Sequence, residues 1–208
     1  ELSTQLLAAG ASVYGTARSN ESSTSLPAGL TQALLLDLES DASIDTLTGY
    51  IISSGLELDG IVVASGLVAF GSITDTPQVA VEKLLRVNHQ GPVRLITALL
   101  PRLAQSQKEP FVLSISGVVA EKVFPGMATY VTSKTAHSTW LKALSMEARR
   151  DGIRVLDARP GHTETGLATR AVAGLAPNFP TGMTAQHVVS VIVRAIEDGT
   201  KDLPSEAF

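Results

Sequence analysis

Residues Phe111–Lys134 read FVLSISGVVAEKVFPGMATYVTSK, and this stretch decides the fold. Phe111–Ser116 is a short apolar run with no charge, as expected of a strand covered on both faces. Gly117 breaks it, and Pro125-Gly126 precedes a long helical pattern from Met127 to Arg150, stopped by Asp151-Gly152. A buried strand, an irregular turn and a long helix make one half of a βαβ unit.

The same alternation extends in both directions. Upstream, Asp59–Gly66 (DGIVVASG) is a β-branched strand. Helical patterns follow it, one behind an expected Thr76 cap with Pro77 at the first helical position, the other over Val93–Gln105. Further upstream lie a strand at Thr31–Leu38 and a helix from an Asp41 cap to Ser53. Ala11–Ala17 reads as another strand, and Asn20–Gly29 as a loop. Glu1–Gly10 already reads as the inside of a helix. Downstream, Ile153–Ala158 is a strand and Thr184–Glu197 a helix ended at Gly199. This regular spacing predicts a doubly wound α/β fold with a parallel sheet, in one domain spanning 1–208. Ligands of such sheets sit at the carboxyl ends of the strands, which directs attention to Arg18, Asp37, Ser65-Gly66, Ser116-Gly117 and Pro160-Gly161.

Composition narrows the class. Hydrophobic residues make up 44% and charged ones 17%, with mean hydropathy +0.22, which argues for a large core and against disorder. A formal net charge of −4 argues against nucleic-acid binding by blanket phosphate neutralisation. The absence of cysteine excludes disulfides, thiolate nucleophiles and cysteine-ligated metals. The uncharged run Gly60–Thr74 is broken by glycine and serine and is shorter than the roughly 20 apolar residues of a membrane span. The expectation is a cytoplasmic protein with no membrane partner. His89, His137, His162 and His187 show no metal-ligand spacing and read as structural or surface residues.

The chemistry-bearing signal is Tyr130-Val-Thr-Ser-Lys134. Positions i and i+4 share a helix face, so the phenol and the ammonium can converge. A nearby cation favours the phenolate and would bring the tyrosine towards neutrality, making it a general acid or base. Taken alone, this spacing leaves open a packed tyrosine beside a solvated lysine.

Together with Asn88 in Arg86-Val-Asn88-His-Gln-Gly91 and with Pro160-Gly161-His-Thr-Glu-Thr165, the ensemble resembles the short-chain dehydrogenase/reductase family from Glu1 to about Gly199. The resemblance implies a Rossmann-type domain and NADP(H)-dependent interconversion of a ketone or aldehyde with an alcohol. It implies Tyr130 as catalytic acid/base, Lys134 as ribose ligand and pKa modulator, and Asn88 as holder of a relay water. Asp37 and Leu38 match the positions beside the adenine, and Ser65 and Gly66 the strand end next to the cofactor. Pro160, Gly161 and Thr165 match the nicotinamide loop. Arg18, helped by Ser19, stands where an arginine favours a 2′-phosphate, hence NADP(H). The helices ending near Gln105 and starting near Met127 match a two-fold interface, implying a homodimer or homotetramer.

Three departures qualify this. No Gly-x-x-x-Gly-x-Gly occurs, and the first helix matches the one after that turn, so on the order of twenty residues are expected to precede Glu1, closing an otherwise exposed strand edge. The usual Asn-Asn-Ala-Gly reads Val63-Ala64-Ser65-Gly66. The catalytic serine is expected thirteen residues before the tyrosine, where Gly117 stands. Ser116 would point the other way unless a bulge at Gly117 re-aims it as the substrate-oxygen donor. Two other readings stay open: a cofactor-binding sensor or scaffold without turnover, and a dehydratase or epimerase. The loop Gly166–Gly182 is expected to cover the substrate.

Overall fold

The computed structural model describes all residues, 1–208. Five strands run parallel: β1 (Tyr14–Ala17), β2 (Gln32–Leu35), β3 (Gly60–Val63), β4 (Phe111–Ile115) and β5 (Arg154–Ala158). They form two ladders, β1-β2 and β3-β4-β5, with no backbone pairing between them. The helices are α1 (Leu2–Ala8), α2 (Asn20–Ser23), α3 (Asp41–Ser53), α4 (Gln78–Leu85), α5 (Gly91–Leu103), α6 (Ala128–Glu147) and α7 (Ala185–Glu197). Helices lie on both faces of the three-stranded sheet, so the doubly wound α/β expectation holds.

The period of two along each strand builds two cores. Val112 and Val155 point to one face and pack with Ile44, Ile96, Leu103 and Leu141 from α3, α5 and α6. Leu113 and Leu156 point to the other and pack with Val188 and Ile192 of α7 and with Leu2 of α1. Ile96, Leu103, Val112, Leu113 and Leu156 are fully buried. Burying one such side chain stabilises the fold by about 1.5–3 kcal/mol. β2 is mostly exposed, and the packing weight sits on β3, β4 and β5.

Local details differ from the sequence expectations for identifiable reasons. Ser40, not Asp41, caps α3, its hydroxyl accepting from Ser43 N. Pro77 occupies the cap of α4 itself, while the Thr76 hydroxyl donates to Ser72 O. The loop after β1 contains α2, because Ser19 and Ser22 cap each other reciprocally. α4 and α5 are not separate helices: the π-helical turn Arg86–Gln90 joins them. Beyond β5, Leu203 makes a single parallel bridge to Ala158. No helix is long and apolar enough to cross a membrane.

Candidate active site

The carboxyl ends of β3, β4 and β5 open onto a cavity of about 590 Å³. Its wall includes Ser65, Gly66, Ser116, Gly117, Tyr130, Lys134, Pro160, Gly161 and Thr165. The rest is mostly apolar, with Phe70, Val118, Val119, Phe124 and Met127 joined by Leu167 and Phe179 of the 160–183 loop. That loop is tied down by Phe70 N donating to Ala173 O and Val172 N to Val68 O, each at 2.9 Å.

Asn88 reaches the site through the π turn, whose extra residue rotates the chain relative to a regular helix; such turns recur at functional sites. Its side chain is 1% exposed and makes three hydrogen bonds. Oδ1 accepts from Leu67 N at 2.8 Å, and Nδ2 donates to Leu67 O at 2.9 Å and to Ser133 Oγ at 3.0 Å. Ser133 in turn donates to Tyr130 O at 2.8 Å. Asn88 thus ties the end of β3 to the first turns of α6. Gly91, which follows the π turn, has no room for a side chain: a Cβ there would lie 2.4 Å from Leu38 O.

Lys134 is 5% exposed and its Nζ donates to Ile115 O at 2.8 Å. A Cβ on Gly66 would stand 3.2 Å from that Nζ and 3.3 Å from Asn88 Oδ1, so the glycine leaves a narrow cradle between them. Burial pulls the Lys134 ammonium down to about 8, opposed by the charge of Asp157. Burial also pushes the Tyr130 phenol up to about 12, which corrects the expectation of a phenol drawn towards neutrality. The physical reason is geometric: the ammonium turns to the Ile115 carbonyl, and desolvation alone acts on the phenol.

Ser116 is corrected as well. Its N–H and that of Gly117 both donate to Ala158 O, at 3.0 and 3.2 Å, so the strand end is irregular as a bulge would be. Yet the Ser116 hydroxyl donates to Asp157 Oδ1 at 2.5 Å and its side chain is fully buried, leaving no free donor for a substrate oxygen.

The cofactor-end residues lie further out. Arg18 and Ser19 are exposed just past β1 and do not line the cavity, nor do Asp37 and Leu38 past β2. Asp37 Oδ1 accepts from Glu39 N at 2.9 Å, and Leu38 is buried. Glu164 accepts from Gly182 N at 2.8 Å and serves the loop.

Sequence reasoning missed two features. His162, read as structural or surface, is half-buried and lines the cavity, stacked on Phe179 at 4.8 Å between ring centres. Asp157 is the second: 5% exposed, it accepts from Ser116, from Ser138 Oγ at 2.5 Å and from Arg159 Nη1 at 3.1 Å. The signal was available, since an acid inside the apolar strand IRVLDA demands buried partners.

The model of the family described as short chain dehydrogenase matches residues 1–175. Dehydrogenase/reductase SDR family member 7B of Xenopus laevis is 28% identical over 178 residues, covering 82% of this chain and 54% of that protein. The uncharacterized oxidoreductase YmfI of Bacillus subtilis is 27% identical over 179 residues, 84% of this chain and 70% of its own length. The chain spans about half the length of the first of these relatives. A short-chain dehydrogenase from Streptomyces avermitilis superposes with TM-score 0.83 at 23% identity, covering 99% of this chain and 84% of that one. One from Sphingobium yanoikuyae, in complex with NADPH, gives 0.85 at 21%, covering 98% and 81%. These likenesses agree with the fold built above from strand order and helix packing. With the model matching most of its length, this chain belongs to the short chain dehydrogenase family.

Proposed function

We propose that the protein is an NADP(H)-dependent oxidoreductase that interconverts a neutral, apolar ketone or aldehyde and its alcohol. The observation that carries this reading is the convergence of Tyr130, Lys134, Asn88 and Gly66 at the end of β3. A nicotinamide cofactor, when bound, supplies or accepts the hydride. The residues present fit its nicotinamide end: without a Cβ at Gly66, Lys134 and Asn88 come close to a glycine that itself lines the cavity, where a side chain would crowd both. Pro160-Gly161 and Thr165 line the same cavity. Arg18 is exposed just past β1 and in no ion pair, and an arginine there, suited to a 2′-phosphate, supports NADP(H) over NAD(H).

Tyr130 holds the proton that the substrate oxygen gains on reduction and takes it back on oxidation. A phenol raised to about 12 carries its proton at neutral pH, so Tyr130 rests in the form that reduction requires. Lys134, its ammonium held at the Ile115 carbonyl, adds positive charge to the same cavity and would hold the cofactor's ribose rather than act on the resting phenol. Asn88 fixes the geometry of both by bonding the β3 end and Ser133 together. The mostly apolar wall of Phe70, Val119, Phe124 and Phe179, with Lys134 and His162 as its basic side chains, supports a neutral substrate over a multiply charged one. The test is loss of nicotinamide absorbance when the full-length protein meets NADPH and a panel of apolar carbonyl compounds, with Tyr130→Phe as control. Turnover that survives the substitution overturns the assigned role of Tyr130.

A second reading has its own observation. Gly117 occupies the position where the family resemblance places a serine, and no hydroxyl replaces it. A cofactor-binding sensor without turnover fits that loss. Tight NADPH binding with no consumption over the whole panel favours it.

A further inference from the structure

We infer that Asp157 is a positioning residue for Lys134, a buried anion that holds the lysine's helix face against the strand ends and keeps its ammonium charged. The inference rests on Lys134 being a working group of the site proposed above.

The geometry converges from three elements. On α6, Lys134 and Ser138 are four residues apart and share one face. Lys134 Nζ is held by Ile115 O at 2.8 Å, and Ser138 Oγ donates to Asp157 Oδ2 at 2.5 Å. On β4, Ser116 follows Ile115 and donates to the other carboxylate oxygen, Asp157 Oδ1, at 2.5 Å. Just past β5, Arg159 closes the set at 3.1 Å and is itself held by Asp202 at 2.8 Å and by Glu121 at 2.5 Å. One carboxylate thus fixes both segments that grip Lys134, the helix face below it and the strand end that receives its hydrogen bond.

A carboxylate at 5% exposure is costly unless paired, and Ser116, Ser138 and Arg159 supply that pairing while fixing the two segments around Lys134. Packing alone would be served by an apolar residue of similar volume. The other groups facing Lys134 bring no negative charge. They are Tyr130 and His137 on its own helix, His89 and Asn88 on the π turn, and Ser65 and Gly66 at the β3 end, with the Ile115 carbonyl opposite. Asp157, backed by Arg159, is the one anion among them. The direction agrees: desolvation draws Lys134 down to about 8, and Asp157 acts against that pull.

The experiment is heteronuclear NMR titration of the full chain with isotope-labelled lysine and aspartate. Lys134 is assigned by loss of its signal in Lys134→Met, and Asp157 by loss of its signal in Asp157→Asn. In the wild-type protein the Asp157 carboxyl signal should move at the pH where Lys134 loses its proton. In Asp157→Asn the Lys134 midpoint should fall by at least about one pH unit. Ser138→Ala, which keeps the carboxylate, should shift it by less than about half a unit. An Asp157 signal that stays still through the Lys134 titration overturns the proposal, as does an unchanged midpoint in folded Asp157→Asn. Should that variant fail to fold, the wild-type titration decides alone, with the Asp157 signal assigned through Asp157→Glu. Carbonyl reduction provides a separate arm: its alkaline limb should move to lower pH in Asp157→Asn. Absence of turnover with every carbonyl defeats the reductase reading and leaves the titration result standing.

Discussion

Asn88 satisfies both backbone polar groups of Leu67, accepting from its N–H at 2.8 Å and donating to its carbonyl at 2.9 Å. A side-chain amide thus substitutes for a strand partner just where β3 ends. Asn88→Ala leaves Leu67 and Ser133 short of partners, at about 1–3 kcal/mol for an orphaned buried group. Denaturant unfolding should show that loss, and amide exchange at Leu67 should accelerate. Protected exchange at Leu67 in the variant would show that the β3 end holds without the amide.

Tyr130→Phe removes the hydroxyl and little else, because that hydroxyl makes no hydrogen bond within the chain. Stability should stay within about 0.5 kcal/mol, as for a substitution that breaks no bond. Turnover of a carbonyl substrate should fall by about 10²–10⁴, the usual contribution of a general acid. NADPH affinity, read by fluorescence titration, should change little. A large loss of NADPH affinity would make Tyr130 a binding residue instead.

His137 predicts acid sensitivity. It is buried, with Nε2 bonded to Ser114 Oγ at 2.8 Å and the ring stacked on Trp140 at 5.9 Å. Burial first, then the charges of Lys134 and His89, lowers it to about 3, whereas the unfolded value is about 6.5. Below about pH 6.5 the unfolded chain binds a proton that the folded chain refuses. Stability present above that pH is therefore lost progressively as pH falls towards 3, by as much as about 4 kcal/mol. His137→Gln should be less stable at neutral pH but lose less between pH 6.5 and 4, as measured by denaturant midpoints. Equal slopes in both proteins would remove His137 as the cause.

The loop over the cavity depends on Gly174, whose φ is 69° and whose Cβ would lie 1.8 Å from Phe70 O. No side chain fits without breaking the bond from Phe70 N to Ala173 O. Gly174→Ala should therefore detach the loop, raise KM for an apolar substrate several-fold and leave kcat less affected. A KM that stays put would mean that the loop does not contact the substrate.

The parts of this molecule legible in its sequence are those where pattern and partner are local. The apolar runs at 60–66 and 111–116 mark strands because both faces are covered. Tyr130 and Lys134 share a wall because helix periodicity requires it. The π turn at Asn88 was not legible: it depends on Leu67, twenty-one residues away, supplying both hydrogen bonds. The state of Tyr130 was misread because the lysine's preferred partner, the Ile115 carbonyl, is a backbone atom on another element. The task of Ser116 likewise turned on Asp157, forty-one residues downstream.

The same long-range geometry governs the glycine at 117, and with it the last prediction. Gly117 has φ 81° and ψ 165°, a conformation open essentially to glycine alone. Space is not the obstacle, since an added Cβ would lie 3.7 Å from Pro160 O. The obstacle is backbone strain of about 1–3 kcal/mol for any other residue. A serine at 117 therefore requires the backbone to turn. That turn would disturb the bonds from Ser116 N and Gly117 N to Ala158 O. It would also shift Ser116 away from Asp157, loosening the strand end that receives the Lys134 ammonium. Gly117→Ser should accordingly lower the melting temperature by several degrees and should not raise turnover, because the hydroxyl gained comes at the expense of Lys134 placement. A variant with an unchanged melting temperature and tenfold faster carbonyl reduction would show that the strand end can adopt a second backbone and that a serine there completes the site.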